Sequence, residues 1–280
     1  MRQAVMAGLA AVIGVGVGLS AQAKDLSILF IGNSYSYYPN TPENPGQVIL
    51  FKEIAESIDP DLHINASFHT QSGWTLEDHY KDHTSFTLLS QAYDQVVIQP
   101  MSLDPVDLPE WFEKSEGMKG LKSFSVYLPK VLDLAFLHNK NVTLVVTWAR
   151  HPKHIFLQAD HPGRYFTSDS PRAGQQWYGD TVRDSQKMID DSYSKYTAGY
   201  PVSFSRVGDA WLMLEQKGLV NIDELYRPGD WSHPSELGSF IEALVLVKAT
   251  LHLDIRQESI IPETIDPMRA RAIIEALATQ

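Results

Sequence analysis

Short apolar runs and segments of helical period alternate along the chain. Leu26 to Ile31 is almost wholly apolar and ends at Gly32, the pattern of a strand buried on both faces. Residues 46 to 58 follow with Val48, Ile49, Phe51, Ile54 and Ile58 at helical spacing, and Pro60 closes the segment. Leu62, Ile64, Ala66 and Phe68 alternate with polar partners, which predicts a second strand. Val96 to Ile98 and Val142 to Thr147 read as two more strands. Between them, residues 121 to 139 place Leu121, Phe124, Leu128, Val131, Leu132, Ala135 and Phe136 on one helical face. A proline-marked loop from Arg150 to Pro171 precedes a polar helix expected over 174–197 and a short strand over 201–204. Helices are expected over 209–215 and 237–251, the latter with Phe240, Ile241, Leu244, Val247 and Leu251 inward.

Strands that alternate with helices imply βαβ units and a parallel sheet covered on both faces. Ligand sites on such sheets gather in the loops beyond the carboxyl ends of the strands. Those loops hold Gly32-Asn33-Ser34-Tyr35, Gln71-Ser72-Gly73-Trp74, Gln99-Pro100-Met101-Ser102 and Trp148-Ala149-Arg150-His151. Asp230-Trp231-Ser232-His233-Pro234 opens the last long helix.

Composition narrows the chemistry. The 280 residues are 44% hydrophobic, too rich for disorder, and carry a formal net charge of −11, which argues against a nucleic-acid partner. With no cysteine, disulfides, thiolate-bound metals and a thiol nucleophile are excluded. Residues 1–23 form a separate unit: Arg2, an apolar run from Ala4 to Leu19, and the small-residue site Ala21-Gln22-Ala23. This is the pattern of a signal peptide, so residues 24–280 are expected to be one domain, periplasmic or secreted, with no stable membrane insertion after cleavage.

A serine hydroxyl needs a base to remove its proton, and the base needs a carboxylate to fix its tautomer. Asp230 and His233 are three residues apart, close enough for a tight turn to aim both side chains one way. If that loop folds over the end of the first strand, Ser34, His233 and Asp230 form a triad. Backbone N–H groups after Gly32 and at Gly73 could then receive an oxyanion.

These residues resemble the blocks of the SGNH (GDSL-like) hydrolase superfamily, and more narrowly a secreted bacterial branch of it. Leu29-Phe30-Ile31-Gly32-Asn33-Ser34 is similar to the first block, with Asn33 where aspartate is more usual. Gly73 is similar to the second-block glycine, and Asp230 to Ser235 followed by Gly238 to the last block. The resemblance implies a three-layer α/β/α sandwich with a parallel, flavodoxin-like five-stranded sheet. It implies a serine esterase acting on a small-molecule or carbohydrate ester, without metal or cofactor, through Ser34, His233 and Asp230. The third block departs from the family: its Gly-x-Asn is missing from Val97 to Ser102. Gln99 is the expected replacement in the oxyanion hole beside Ser34 and Gly73, with Ser102 the other candidate. An acyltransferase with the same triad and a non-catalytic glycan-binding protein on the same fold stay open.

Trp74, Trp148, Arg150, His151 and Trp231 are expected to form the substrate rim, and Trp177 is a further ring that could stack on a sugar. His79 and His83 could present two metal ligands from a helix, but their segment is polar all round, so a solvated face is the better expectation.

Overall fold

The computed structural model describes residues 24–37, 40–158, 164–168, 170–257 and 260–280. The leader expected over 1–23 lies outside them. Five strands form one all-parallel sheet: β1 (Lys24–Gly32), β2 (Leu62–Thr70), β3 (Gln95–Ile98), β4 (Val142–Val146) and β5 (Ser203–Arg206), in the order β2-β1-β3-β4-β5. That is the flavodoxin-like order, whose reversal point falls between β1 and β3.

The helices are α1 (Ser34–Tyr37), α2 (Gly46–Ile58), α3 (Leu76–Lys81), α4 (His83–Leu89), α5 (Glu110–Glu116), α6 (Gly120–His138), α7 (Val182–Tyr196), α8 (Val207–Gln216), α9 (Glu236–Leu251) and α10 (Pro267–Ala278). Alternate residues of β1 face opposite layers, because successive strand side chains point to opposite sides. Ile28 and Phe30 pack with α2, α8, α9 and α10. Leu29 and Ile31 pack with α6 and α7. The result is a three-layer α/β/α sandwich. No helix among the described residues is long and apolar enough to cross a membrane.

Two elements start later than the periodicity predicts, each for a local reason. The helix expected from 174 begins at Val182, where Thr181 and Asp184 close a reciprocal capping box. The strand expected over 201–204 lies at 203–206, in register with β4 from Thr143↔Ser203 to Val146↔Arg206. Helix α10 adds an element not anticipated, capped by Asp266 with Pro267 in its first turn.

Candidate active site

Strand β1 ends in a tight turn. Asn33, 1% exposed, accepts the Tyr35 N–H at Oδ1 (3.2 Å), and its carbonyl accepts the Ser36 N–H (3.0 Å), so α1 starts with Ser34 at its tip. Gly32 permits this turn by close approach. A Cβ there would lie 2.3 Å from Ser36 Oγ and 3.1 Å from Gln99 Oε1. His79 Nε2–H donates to the Gly32 carbonyl (2.8 Å), which leaves Nδ1 to accept from Ser85 Oγ (2.8 Å). Burial holds His79 down to about 4, so the ring is neutral. His79 is therefore a buried strut beneath the serine turn, not part of a solvated face. His83 lies in the next helix, which begins where Asp82 caps the Ser85 N–H. No cluster of three or more His, Asp or Glu suited to a metal occurs among the described residues.

The second half of the site is the loop before α9. Tyr226 and Pro234 form a bridge, and the Arg227 N–H donates to the His233 carbonyl (2.9 Å), folding the loop on itself. Helix α9 starts only at Glu236, with Ser235 as its cap, so Asp230 and His233 meet in a turn rather than on a helix. Asp230 Oδ1 accepts the N–H groups of Ser232 and His233, both at 2.9 Å. Its Oδ2 accepts His233 Nδ1–H at 2.7 Å. Burial by itself would raise the Asp230 carboxyl, but the ring and backbone donors hold it well below the usual carboxylate range. With Nδ1 protonated, His233 Nε2 is bare and accepts from Ser34 Oγ at 2.9 Å. Ser34, His233 and Asp230, 199 residues apart at the extremes of that last contact, thus form one hydrogen-bonded chain.

Trp231 sits inside the loop with φ of 61°, a left-handed conformation rare for a bulky residue. It is held there by its neighbours. The His151 N–H donates to the Trp231 carbonyl (3.0 Å), the His151 ring lies 4.9 Å away, and Lys153 Nζ stands 4.6 Å from the indole. His151 in turn donates Nε2–H to Asp223 (2.9 Å), which also pairs with Lys153 (2.5 Å).

The rim expected from sequence divides. Trp74 and Trp231 are partly exposed near the site, whereas Arg150 and His151 are each only 7% exposed. Trp148 is not on the rim. It is fully buried, stacked between Tyr35 (4.6 Å, 6°) and Trp211 (4.6 Å, 23°), and its Nε1–H donates to the Ser232 carbonyl (2.9 Å). A ring after a strand that is buried on both faces fills the interior as readily as it lines a cleft. Trp177 is likewise fully buried.

Of the expected oxyanion donors, the backbone N–H groups of Ser34 and Gly73 make no hydrogen bond among the described residues. Gly73 has φ of 69°, with open space where a Cβ would be. Asn33 Nδ2 donates to the Trp74 carbonyl (3.4 Å), tying the Gly73 loop to the serine turn. Gln99 is placed elsewhere. Its Oε1 accepts from Ser36 Oγ, and its Nε2 is sealed from solvent against a small internal cavity shared with Gln47 and Glu242. Its Nε2 is shielded from solvent, so the structure does not bring the Gln99 amide to the Ser34 and Gly73 N–H groups. Ser102, the other candidate, is buried and accepts from Tyr35 OH (3.1 Å) and Arg150 Nε (3.2 Å).

Sequence reasoning missed Tyr35, Ser232 and Asp223. Tyr35 OH lies 2.6 Å from Ser232 Oγ, and its ring meets the His233 ring edge-on at 5.2 Å, so it braces both halves of the site. Asp223 is far from the motifs in sequence, and no spacing rule points to it.

No protein-family model matches the chain, and no curated protein matches it. Solved structures do. A DUF4886 family protein from Bacteroides uniformis is 16% identical over 91% of this chain and 94% of its own, with a TM-score of 0.62. A protein assigned to the SGNH hydrolases from Slackia heliotrinireducens is 17% identical, covering 81% of this chain and 99% of its own, with a TM-score of 0.54. An acetyl-xylooligosaccharide esterase from Geobacillus stearothermophilus is 16% identical over 80% and 94%, with a TM-score of 0.55. The chain therefore has the fold of the SGNH hydrolases, the architecture that its sequence blocks implied.

Proposed function

We propose that the protein is a serine ester hydrolase with Ser34 as nucleophile. The observation that carries this reading is the chain Asp230–His233–Ser34, with links of 2.7 and 2.9 Å. His233 Nε2 takes the Ser34 proton as Oγ attacks the acyl carbonyl, and later delivers it to the leaving alkoxide. Asp230 holds the ring in the required tautomer and stabilises the imidazolium. The N–H groups of Ser34 and Gly73 receive the oxyanion. Water, activated by the same His233, then releases the acid and restores the serine. Similarity in fold to an acetyl-xylooligosaccharide esterase supports a short acyl group on a small-molecule or carbohydrate alcohol.

Release of 4-nitrophenol from 4-nitrophenyl acetate by the purified protein tests the activity. No turnover by folded protein on any short-chain ester would refute it. Export is part of the same reading, from the Ala21-Gln22-Ala23 site. Protein from the native host should begin near Lys24, and a start at Met1 would contradict this.

Because Gln99 is sealed behind the serine turn, Gln99→Ala should act on stability and not on the oxyanion. Ser36 Oγ loses its buried acceptor, at a cost of about 1–3 kcal/mol. Turnover should change less than tenfold, against the ~10²-fold or more expected for a lost oxyanion donor. Thermal unfolding and kcat measured on the same preparation separate the two. A 10²-fold loss in kcat with unchanged Tm would return Gln99 to the oxyanion hole.

A further inference from the structure

Arg150 is the one buried cationic side chain among the described residues, and it has no carboxylate partner there. Arg164, Arg172, Arg206, Arg256 and Arg269, by contrast, each pair with an Asp or Glu. Arg150 stands four residues past the end of β4, on the side of the sheet where ligands bind. Its Nε–H donates to Ser102 Oγ (3.2 Å), and Nη1 lies 3.3 Å from His154 Nε2. Nη2 finds only Met101 Sδ at 4.0 Å, a weak acceptor at long range. Phe156 covers the guanidinium at 5.8 Å.

None of these neighbours is an anion. Burial, and then the Arg150 charge itself, push His154 down to about 3, so that ring stays neutral. A guanidinium withdrawn from water without a counter-charge is costly, and an incoming anion would relieve that cost. The cation is also joined to the serine site. Ser102 Oγ, which takes the Arg150 bond, takes another from Tyr35 OH (3.1 Å), and Tyr35 OH contacts Ser232 between Asp230 and His233 (2.6 Å).

We infer that Arg150 is a specificity-determining residue and that the preferred ester carries an anionic group, such as a carboxylate, on a short arm from the scissile bond. The inference rests on the esterase reading and gives it a substrate class. The anion sits on the acyl or on the alcohol side, with Nη2, whose contact among the described residues is Met101 Sδ, as its donor. The chemistry of hydrolysis is unchanged: the arm is bound, and only the ester bond breaks.

Two matched pairs of esters test this. Methyl hydrogen succinate against methyl succinamate places the charge on the acyl side. O-Acetylglycolate against O-acetylglycolamide places it on the alcohol side. Acid release under pH control gives kcat/KM for each. For one pair, the anionic ester should exceed its neutral isostere by about 10- to 100-fold, the scale of a desolvated charge-assisted contact. That ratio should fall at least tenfold in Arg150→Gln and be partly kept in Arg150→Lys, and the responding pair identifies the side. Ratios near one for both pairs in the unmodified enzyme, or a ratio that survives Arg150→Gln, would overturn the inference while leaving the esterase reading intact.

Should Arg150→Gln fail to fold, succinate inhibition of neutral-ester hydrolysis by the unmodified enzyme decides. Competitive inhibition by succinate but not by succinamide is expected, and equal or absent inhibition contradicts the inference. If no ester is turned over at all, the esterase reading fails. Quenching of tryptophan fluorescence by succinate over succinamide then still tests Arg150 as an anion site, and equal response to both refutes it.

Discussion

Ser34→Ala should abolish ester turnover, and His233→Ala should cost about as much. The two act as one unit, because a base with no hydroxyl to activate contributes nothing and an unactivated hydroxyl contributes little. The expected loss is of order 10⁵–10⁶-fold in kcat, and the double variant should be no worse than either single one. Folding should survive. Ser34 is partly exposed, its Oγ bonds only to His233 Nε2 among the described residues, and the Asn33 contacts that shape the turn do not use the hydroxyl. Multiplicative losses in the double variant would show two independent groups rather than one relay. Circular dichroism on the same samples separates loss of chemistry from loss of fold.

Asp230→Asn should lower kcat about 10⁴-fold by a different route. The carboxylate accepts three hydrogen bonds, two from backbone N–H groups at Oδ1 and one from His233 Nδ1 at Oδ2. An asparagine can keep its oxygen toward Ser232 and His233 N–H, which presents the amide NH₂ to His233 Nδ1. The ring then takes the other tautomer, with Nε2 protonated and facing Ser34 as a donor, and the base is lost without moving an atom far. KM should change little, since Asp230 binds no substrate in this mechanism. A loss under about tenfold would mean that His233 is held in its tautomer by something other than Asp230.

The architecture was legible because the sheet is buried on both faces. Short continuous apolar runs bounded by polar residues, as at Leu26–Ile31 and Val142–Thr147, suit central parallel strands, and the strong period of residues 46–58 gives α2 its observed bounds. Helix α10 carried a readable cap in Asp266-Pro267, but only three residues of its inward face (Ile273, Ile274, Leu277) are large and apolar. The segment over 76–89 was opaque for a different reason. Its two short helices are set by caps at Thr75 and Asp82 rather than by an apolar stripe, which is why His79 read as solvated although it is buried.

The site shows the same division. Ser34, Asp230 and His233 were legible because each stands at a strand end or in a turn whose spacing limits its geometry. Trp148 and Gln99 were misplaced because position after a strand does not say which side of the sheet a side chain takes. Val97 and Gln99 share a face by the period of two, and that face is the α2–α9 layer beneath the serine turn. Tyr35 follows Ser34 directly and carries no signal of its bridging role. Its partners Ser102 and Ser232 are 67 and 197 residues away in sequence.

The most direct test of the serine nucleophile is covalent capture. The folded protein, incubated with a fluorophosphonate, should gain the mass of one phosphonyl group, with loss of fluoride, and peptide mapping should place it on Ser34. His233→Ala should slow the labelling at least 10³-fold, because phosphonylation also needs the activated hydroxyl. A folded protein that takes no label, or takes it at another serine while Ser34→Ala labels at the same rate, would contradict the account.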